Sequence, residues 1–326
     1  MTDYKPAKIT KVQQSESADT LMVLQPYSAM IWNIGYCGLD RNMDFFYDGG
    51  QKVRPTKEIV MENLSGIKHF IARHDTFDFF LFQELDIQSK RSYKTNQMLE
   101  FKSILTGYIP TFGKNYDVDF VPVPLANPMG NVLSGIVTYT AEKPALSFRY
   151  SYPGNFSWPT RLFMLDRCFM INRFPVNNGG EFLLINTHNS AFDDGGFLRK
   201  MQVEYLKEIL IQEYEAGNYV VVGGDWNQCP PDFMPLYNDQ PFDTTDLIFI
   251  PHDLMPEGWQ WKFDAAVPTN RRVSSAYEKG KTLTTVIDFF LFSPNIIVDS
   301  VKTIDLGFMH ADHHPVFANF RLKMNK

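Results

Sequence analysis

Six short apolar runs in this chain end on, or pass straight into, residues able to hold a metal ion or move a proton. The run Ala29-Met30-Ile31-Trp32 ends at Asn33, and Phe79-Phe80-Leu81-Phe82 leads to Gln83-Glu84. Phe182-Leu183-Leu184-Ile185 leads to Asn186-Thr187-His188, and Val220-Val221-Val222 passes through Gly223-Gly224 to Asp225-Trp226-Asn227. Val286-Ile287 meets Asp288, with Phe289-Phe290-Leu291 beyond it, and Asp312-His313-His314-Pro315 precedes the apolar stretch from Val316. Runs of this kind read as buried strands. A buried carboxylate is costly unless it is paired, hydrogen-bonded or bound to a metal. The polar ends therefore read as one shared site.

The residue types define the chemistry. Asp225 and Asn227 are two positions apart, so an extended chain presents both on one side, the first as acceptor or base and the second as an orienting amide. Alone, an Asp-x-Asn after a strand serves equally well as a turn or helix cap. Asp288 sits within an apolar run and requires a partner, for which His313 is the candidate. Oxygen ligands without a cysteine cluster favour Mg²⁺ or Mn²⁺ over structural zinc. His188 and His313 provide groups that titrate near neutrality, for general acid–base work or charge stabilisation. Together these fit attack of water on phosphorus, where a metal and cations offset the developing charge.

The elements that must position these groups can be read from periodicity. Val60, Leu64, Ile67 and Ile71 predict an amphipathic helix over 57–73. Met98, Phe101 and Leu105 suggest a second helix, and Leu198, Met201, Tyr205 and Ile209 a third that ends near Gly217. Strands are expected over 134–139, 162–173 and 298–305, and loops over 36–55, 144–159 and 230–256, where Gly, Pro, Asn and Asp are dense. The order strand, helix, strand recurs in both halves. Two packed sheets with helices outside satisfy this pattern, with a doubly wound sheet as the competing architecture. No Gly-rich phosphate fingerprint follows the first strand.

Composition narrows the class. The 326 residues are 44% hydrophobic and 21% charged, which allows a large core. Residues 1–27 read as an N-terminal extension and 28–326 as one catalytic domain. The polar start shows no signal peptide and no run reaches the length of a membrane span, so a cytoplasmic location is the default expectation. The three cysteines, Cys37, Cys168 and Cys229, lack CxxC spacing and are expected to be small buried hydrophobes. A net charge of −6 disfavours broad grip on nucleic acid. The basic runs Lys90-Arg91-Ser92-Tyr93-Lys94 and Asn270-Arg271-Arg272 read as solvated loops. Phe45-Phe46-Tyr47 is expected to pack on a sheet edge, and Asp40, Asp44 and Asp48 to lie in a loop beside Gly49-Gly50.

Taken in order, Trp32-Asn33, Gln83-Glu84-Leu85-Asp86, Asn186-Thr187-His188, Gly224-Asp225-Trp226-Asn227, Ile287-Asp288-Phe289-Phe290 and Asp312-His313-His314-Pro315-Val316 resemble the endonuclease/exonuclease/phosphatase superfamily with the deoxyribonuclease I-like fold. The stretch around Asn33-Ile34-Gly35-Tyr36, with Arg91-Ser92-Tyr93, resembles a bacterial branch of it. The resemblance implies an α/β (α+β) fold, a four-layer α/β sandwich of two mainly antiparallel sheets flanked by helices. It implies a divalent-metal-dependent phosphohydrolase, in the first instance a phosphodiesterase, with Mg²⁺ or Mn²⁺ as cofactor and a phosphate ester as substrate. Glu84 would bind the metal, with Asn33 and Asp312 close by. Asp225 and Asn227 would position or activate water, and Asn33, Asn227 and Arg167 would contact the phosphate. His188 and His313 would flank it, with Asp288 orienting His313. The sequence departs from the pattern at Trp226, Ala311, His314 and Gly35; the last stands where abasic-site endonucleases carry an acidic ligand. Nuclease, sugar- or inositol-phosphate monoesterase and sphingomyelinase-like activities all remain open, with a non-catalytic scaffold as the reading from a different class.

Overall fold

The computed structural model describes residues 4–191, 193–235 and 247–324. Its strands in chain order are β1 (Ile9–Gln14), β2 (Pro26–Asn33), β3 (Phe79–Asp86), β4 (Ile109–Val121), β5 (Gly130–Thr140), β6 (Leu146–Ser151), β7 (Cys168–Pro175) and β8 (Glu181–His188). They continue with β9 (Tyr219–Asp225), β10 (Gln260–Lys262), β11 (Asn270–Arg271), β12 (Thr284–Thr285), β13 (Asp288–Phe292), β14 (Ile296–Thr303) and β15 (Val316–Leu322). The described residues also form three α-helices, α1 (Lys57–Ala72), α2 (Gln97–Lys102) and α3 (Phe197–Glu215), and short 3-10 turns.

Two large sheets form, ordered β1-β6-β7-β8-β9-β13-β10 and β14-β15-β2-β3-β5-β4. Each is antiparallel except for one parallel pair, β8–β9 in the first and β2–β3 in the second. Each parallel pair is joined through a helix, α3 or α1, because parallel neighbours need a long crossover. The period-2 alternation of the strands decides the layers. In β2, Ala29 and Ile31 face the space between the sheets, while Met30 and Trp32 pack against α1. In β9, Val221 faces inward and Val220 and Val222 meet the α3 side, where Val203, Leu206 and Leu210 lie. The central layer is rich in Phe: Phe79 stacks on Phe182 at 5.8 Å between centroids, and Phe182 on Phe320 at 5.8 Å. Each such burial is worth roughly 1.5–3 kcal/mol of transfer free energy. The result is the four-layer α/β sandwich, with helices outside two mixed sheets.

Several local expectations change. The stretch 162–173 is not one strand: Thr160–Phe163 form a 3-10 turn, and β7 begins only at Cys168. The apolar residues Phe163 and Leu165 are used to pack against Tyr116 and Val118 and not to extend the ladder. The loop-like stretch 144–159 contains β6, whose alternate residues Ser147 and Arg149 are buried between β1 and β7. Residues 9–14, inside the stretch set apart as an extension, form the edge strand beside β6. Of the loop-like stretch 230–256, residues 236–246 lie outside the described residues. All three cysteines are buried and free. No helix among the described residues is long and apolar enough to cross a membrane.

The basic runs are only partly solvated. Arg91 and Arg271 are buried. Arg271 donates to the carbonyls of Asp40, Met43, Arg272 and Ser275, so its fork of donors ties down the 36–55 loop. The loop's acids serve turns as well: Asp40 Oδ1 accepts from Asn42 N, and Asp48 Oδ2 from Val273 N. Phe45 packs with Val121 of the edge strand β4 and Val132 of its neighbour β5.

One glycine governs how closely the strands carrying the site can approach. Gly224 holds φ +149, and a Cβ there would stand 2.1 Å from the Thr187 carbonyl oxygen on the neighbouring strand. Gly224→Ala is therefore expected to lose roughly 3 kcal/mol of unfolding free energy in urea, through strain and the forced shift of β8. Wild-type stability in that variant would contradict the packing described.

Candidate active site

The site lies at one rim of the sandwich, where strands of both sheets end together. β2 ends at Asn33, β8 at His188 and β9 at Asp225. β13 starts at Asp288, paired across the ladder with Asp225. His313 precedes β15, and its carbonyl accepts from the Trp32 indole at 2.9 Å, which anchors the turn that bears it. Glu84 falls in an irregularity of β3 between Phe82 and Leu85 and adopts φ 54. A bulge with a left-handed residue re-aims its side chain, and Glu84 lines the cavity at the strand ends.

Both oxygens of Asp225 are held. Asn33 Nδ2 donates to Oδ2 at 2.9 Å from the opposite sheet, and Asn227 N donates to Oδ1 at 2.8 Å. Asn227 itself has φ 50, and its amide donates to the Asn189 carbonyl at 2.9 Å. Burial and the neighbouring Asp288 raise the Asp225 pKa above the ordinary 3.8, against the pull of His313. The buried carboxylate is thus a stronger base than one in water.

The two histidines are opposite in charge state. His313 Nδ1 lies 2.8 Å from Asp288 Oδ2, and the Asn270 side-chain amide lies 2.9 Å from its Nε2. Burial works against its charge, but Asp288 and Asp312 outweigh burial and push its pKa up to about 10. A protonated ring donates from both nitrogens, so Asn270 must present its oxygen to Nε2. His188 is driven well below 6.5, by burial first and then by the Arg167 charge. Arg167 Nη1 contacts His188 Nε2. A guanidinium can only donate, so Nε2 is the acceptor and the proton sits on Nδ1. His188 is also 3.5 Å from Asp225 and 3.8 Å from Glu84. Both approaches are to Nε2, which carries a lone pair in the neutral ring, so they are neither ion pairs nor hydrogen bonds.

The structure offers two readings of where a cation would bind. Asp225, Asp288 and His313 place three potential ligand atoms within 4.8 Å of one another. Asp288 Oδ2 and His313 are joined by a hydrogen bond and both Asp225 oxygens accept an N–H, which leaves Asp288 Oδ1 as the one unpartnered atom of that trio's carboxylates. Glu84 and Asp312 fit better, because both line the cavity. Asp312 Oδ1 is buried without a hydrogen-bond partner among the described residues. A Cβ on Gly35 would come within 2.7 Å of that oxygen, so the bare glycine leaves its cradle open. Burial, with Glu84 nearby, pushes the Asp312 carboxyl up to about 7 against His313. An unpaired buried carboxylate of this kind is the donor a hard divalent cation takes.

The sequence-predicted residues Asn33, Glu84, Arg167, His188, Asp225, Asn227, Asp288, Asp312 and His313 are all brought to this rim. Asn33 is engaged as a bridge: its Oδ1 accepts from Gly35 N while its amide holds Asp225. The supporting residues Asn189, Arg199, Thr269 and Asn270 were not foreseen. Arg199 donates to the Asn227 carbonyl, and Thr269 Oγ1 accepts from the backbone N–H of Ile287 and Asp288. They lie in loops, a helix or the two-residue strand β11 without a local signature, so no spacing marks them.

The Asp288–His313 pair has a measurable consequence. Asp288→Asn should drop the His313 pKa from about 10 towards its ordinary 6.5, read by NMR titration of the ring. Because the folded pKa is raised, the pair's contribution to stability is complete below about 6.5 and disappears as pH climbs through 10. The variant should flatten that alkaline decline in urea stability. A His313 still titrating near 10 in the variant would show that Asp288 is not its partner.

Comparison with known proteins agrees with this architecture. The chain matches the Endonuclease/Exonuclease/phosphatase family over residues 30–307. No curated protein matches it. An endonuclease/exonuclease/phosphatase from Beutenbergia cavernae superposes with a TM-score of 0.62 at 16% identity, covering 91% of this chain and 72% of that one. D. rerio TDP2, in complex with a single strand DNA product, gives a TM-score of 0.57 at 16% identity over 91% of this chain and 99% of that chain. ANGEL2, described as a 2′,3′-cyclic phosphatase, gives 0.54 at 14% identity over 92% and 96%. At such identities the structures speak for the fold, and the family match spans most of the chain. With two mixed sheets meeting at a rim of carboxylates, amides and histidines, this protein belongs to the endonuclease/exonuclease/phosphatase family, whose members hydrolyse phosphoester bonds.

Proposed function

We propose that the protein is a divalent-metal-dependent phosphodiesterase that cleaves its substrate by in-line attack of water. The observation that carries this reading is the contrast around one point: a restrained basic carboxylate, Asp225, beside a protonated His313 and an Arg167-bound neutral His188. Asp225 accepts the proton of the attacking water, and Asn227 orients it. Arg167 and His313 face the phosphate oxygens, where fixed positive charge counts most as negative charge builds up. The departing alkoxide takes the Nε2 proton of His313, which it reaches by displacing the Asn270 oxygen, while Asp288 holds Nδ1. Glu84 and Asp312 are the residues that would hold Mg²⁺ or Mn²⁺, which when bound withdraws charge from the phosphate oxygens.

A diester is favoured over a monoester because the cavity continues beyond the phosphate centre and leaves room for a second esterifying group. The neighbour TDP2 was solved with a single strand DNA product. For this chain, the net charge of −6 weighs towards a smaller substrate.

Turnover of bis-p-nitrophenyl phosphate should require added Mg²⁺ or Mn²⁺ and vanish with a chelator. Asp225→Ala and His313→Ala should each lower kcat by about a hundredfold or more at saturating metal. Glu84→Gln should chiefly raise the metal concentration needed. Full activity in either alanine variant would rule the mechanism out. The rate should rise as pH passes the elevated Asp225 pKa, since the base must be ionised. It should fall as His313 loses its proton near 10. Asp288→Asn should move the alkaline limb to lower pH.

A further inference from the structure

The cavity holding this site has a volume of about 630 Å³ and runs on into a compartment that the chemistry above does not use. Sites of roughly 300–1,000 Å³ enclose most of a small ligand's surface. The compartment's wall includes Tyr36, Phe45, Tyr47, Tyr116, Met129 and Val273. Such a wall of rings and a thioether favours a flat π-system over a polar arm.

Two polar groups within this wall have donors left over. Tyr36 is 1% exposed, yet its hydroxyl has no hydrogen-bond partner among the described residues. It also holds φ 44, a backbone conformation that bulky residues avoid. Strain of this kind, with an unmade buried hydrogen bond, persists where the surroundings demand it and concentrates at ligand sites. The second group is Arg91, which grips Asp86 through Nε and Nη2, with Nη2–Oδ1 at 2.9 Å. Its guanidinium stands 3.7 Å from the centroid of the Tyr36 ring and 5.8 Å from that of Tyr116. Nη2 also reaches Ser134 Oγ, whereas Nη1 makes no hydrogen bond among the described residues, and the side chain lines the cavity. Asp86 thus locks the guanidinium in place while leaving one edge for something else.

We propose that this compartment is the subsite for one ester arm of the substrate, and that the arm carries a flat aromatic ring bearing an oxygen acceptor. The ring lies along Tyr116 and Phe45, and the Tyr36 hydroxyl and Arg91 Nη1 donate to its oxygen. An alkyl chain would satisfy the wall but leave both donors unpaired. A nucleic-acid duplex needs an extended cationic surface, not a partly enclosed ring-lined cavity. The inference rests on the phosphate-ester reading of the adjoining centre, since the arm must hang from a group bound there.

Isothermal titration of the full chain in Mg²⁺ with a series of phosphonates tests the subsite without turnover. Phenylphosphonate should bind about tenfold more tightly than methylphosphonate, and more tightly than hexylphosphonate. 4-Nitrophenylphosphonate should bind more tightly again. Tyr36→Phe should reduce that last gain, with Arg91 supplying what remains, while leaving the melting temperature equal or higher, because no protein hydrogen bond is lost. Equal binding of phenyl- and methylphosphonate would overturn the subsite while leaving the phosphate centre standing. Tightest binding by the hexyl compound would replace the ring with an aliphatic arm and overturn the proposal. No binding by any of the four would overturn the phosphate reading itself, and this inference with it.

Discussion

The hydrogen bond from Asn33 to Asp225 spans the two sheets, and the geometry of the site depends on it. One partner ends β2 in the second sheet and the other ends β9 in the first. If the sheets slid or splayed at this rim, Asp225 would lose one of its restraints, and His313, carried by the second sheet, would lose its alignment with Asp225 and Asp288. A second cross-sheet contact lies deeper. Gln83 donates to Asn186 at 2.7 Å, and the Asn186 amide reaches the Phe82 and Val137 carbonyls and Thr138. Polar groups in a dry interior must find one another, so these amides set the alignment of two otherwise greasy sheet faces. The Phe-rich layer beneath supplies non-directional cohesion, and the amides supply the register.

On this frame, charge is concentrated where water is scarce. Asp225, Asp288, Asp312 and His313 are all buried. The arrangement tolerates them through division of labour. Asp288 is neutralised by His313, Asp225 is restrained by two N–H donors, and Asp312 keeps an open oxygen. Positive φ at Glu84 and Asn227 adds local strain at the same rim. Such features lower the stability of an isolated fold, and their clustering at one place is the pattern of a site under functional demand.

Much of this was legible along the chain. Apolar runs with polar ends located most of the site-bearing strands, since a buried strand must be apolar and a carboxylate at its end needs a reason. The helical period of Val60, Leu64, Ile67 and Ile71 located α1 within one residue of its end. The pairing of Asp288 with His313 followed from the cost of an acid within an apolar run. The stretch 162–173 misled because Phe163 and Leu165 are apolar for packing against the cluster of Tyr116 and Val118, and apolarity alone does not distinguish such packing from a ladder. Arg91 and Arg271 misled because a basic run normally faces water; here Asp86 holds one edge of the Arg91 guanidinium and loop carbonyls accept from Arg271.

The sequence by itself determined which groups could do the chemistry and which segments carry them, because strand period and burial cost are local. Tertiary structure decided what state those groups are in. Whether His188 is neutral and His313 charged depends on Arg167 and Asp288, and no spacing in the chain reveals that each histidine meets that partner. Tyr36 and Arg91 read as loop residues until folding stacked one on the other beside the phosphate centre. Protonation and spare hydrogen-bonding capacity belong to neighbourhoods, and neighbourhoods between distant segments exist only once the two sheets have closed on each other.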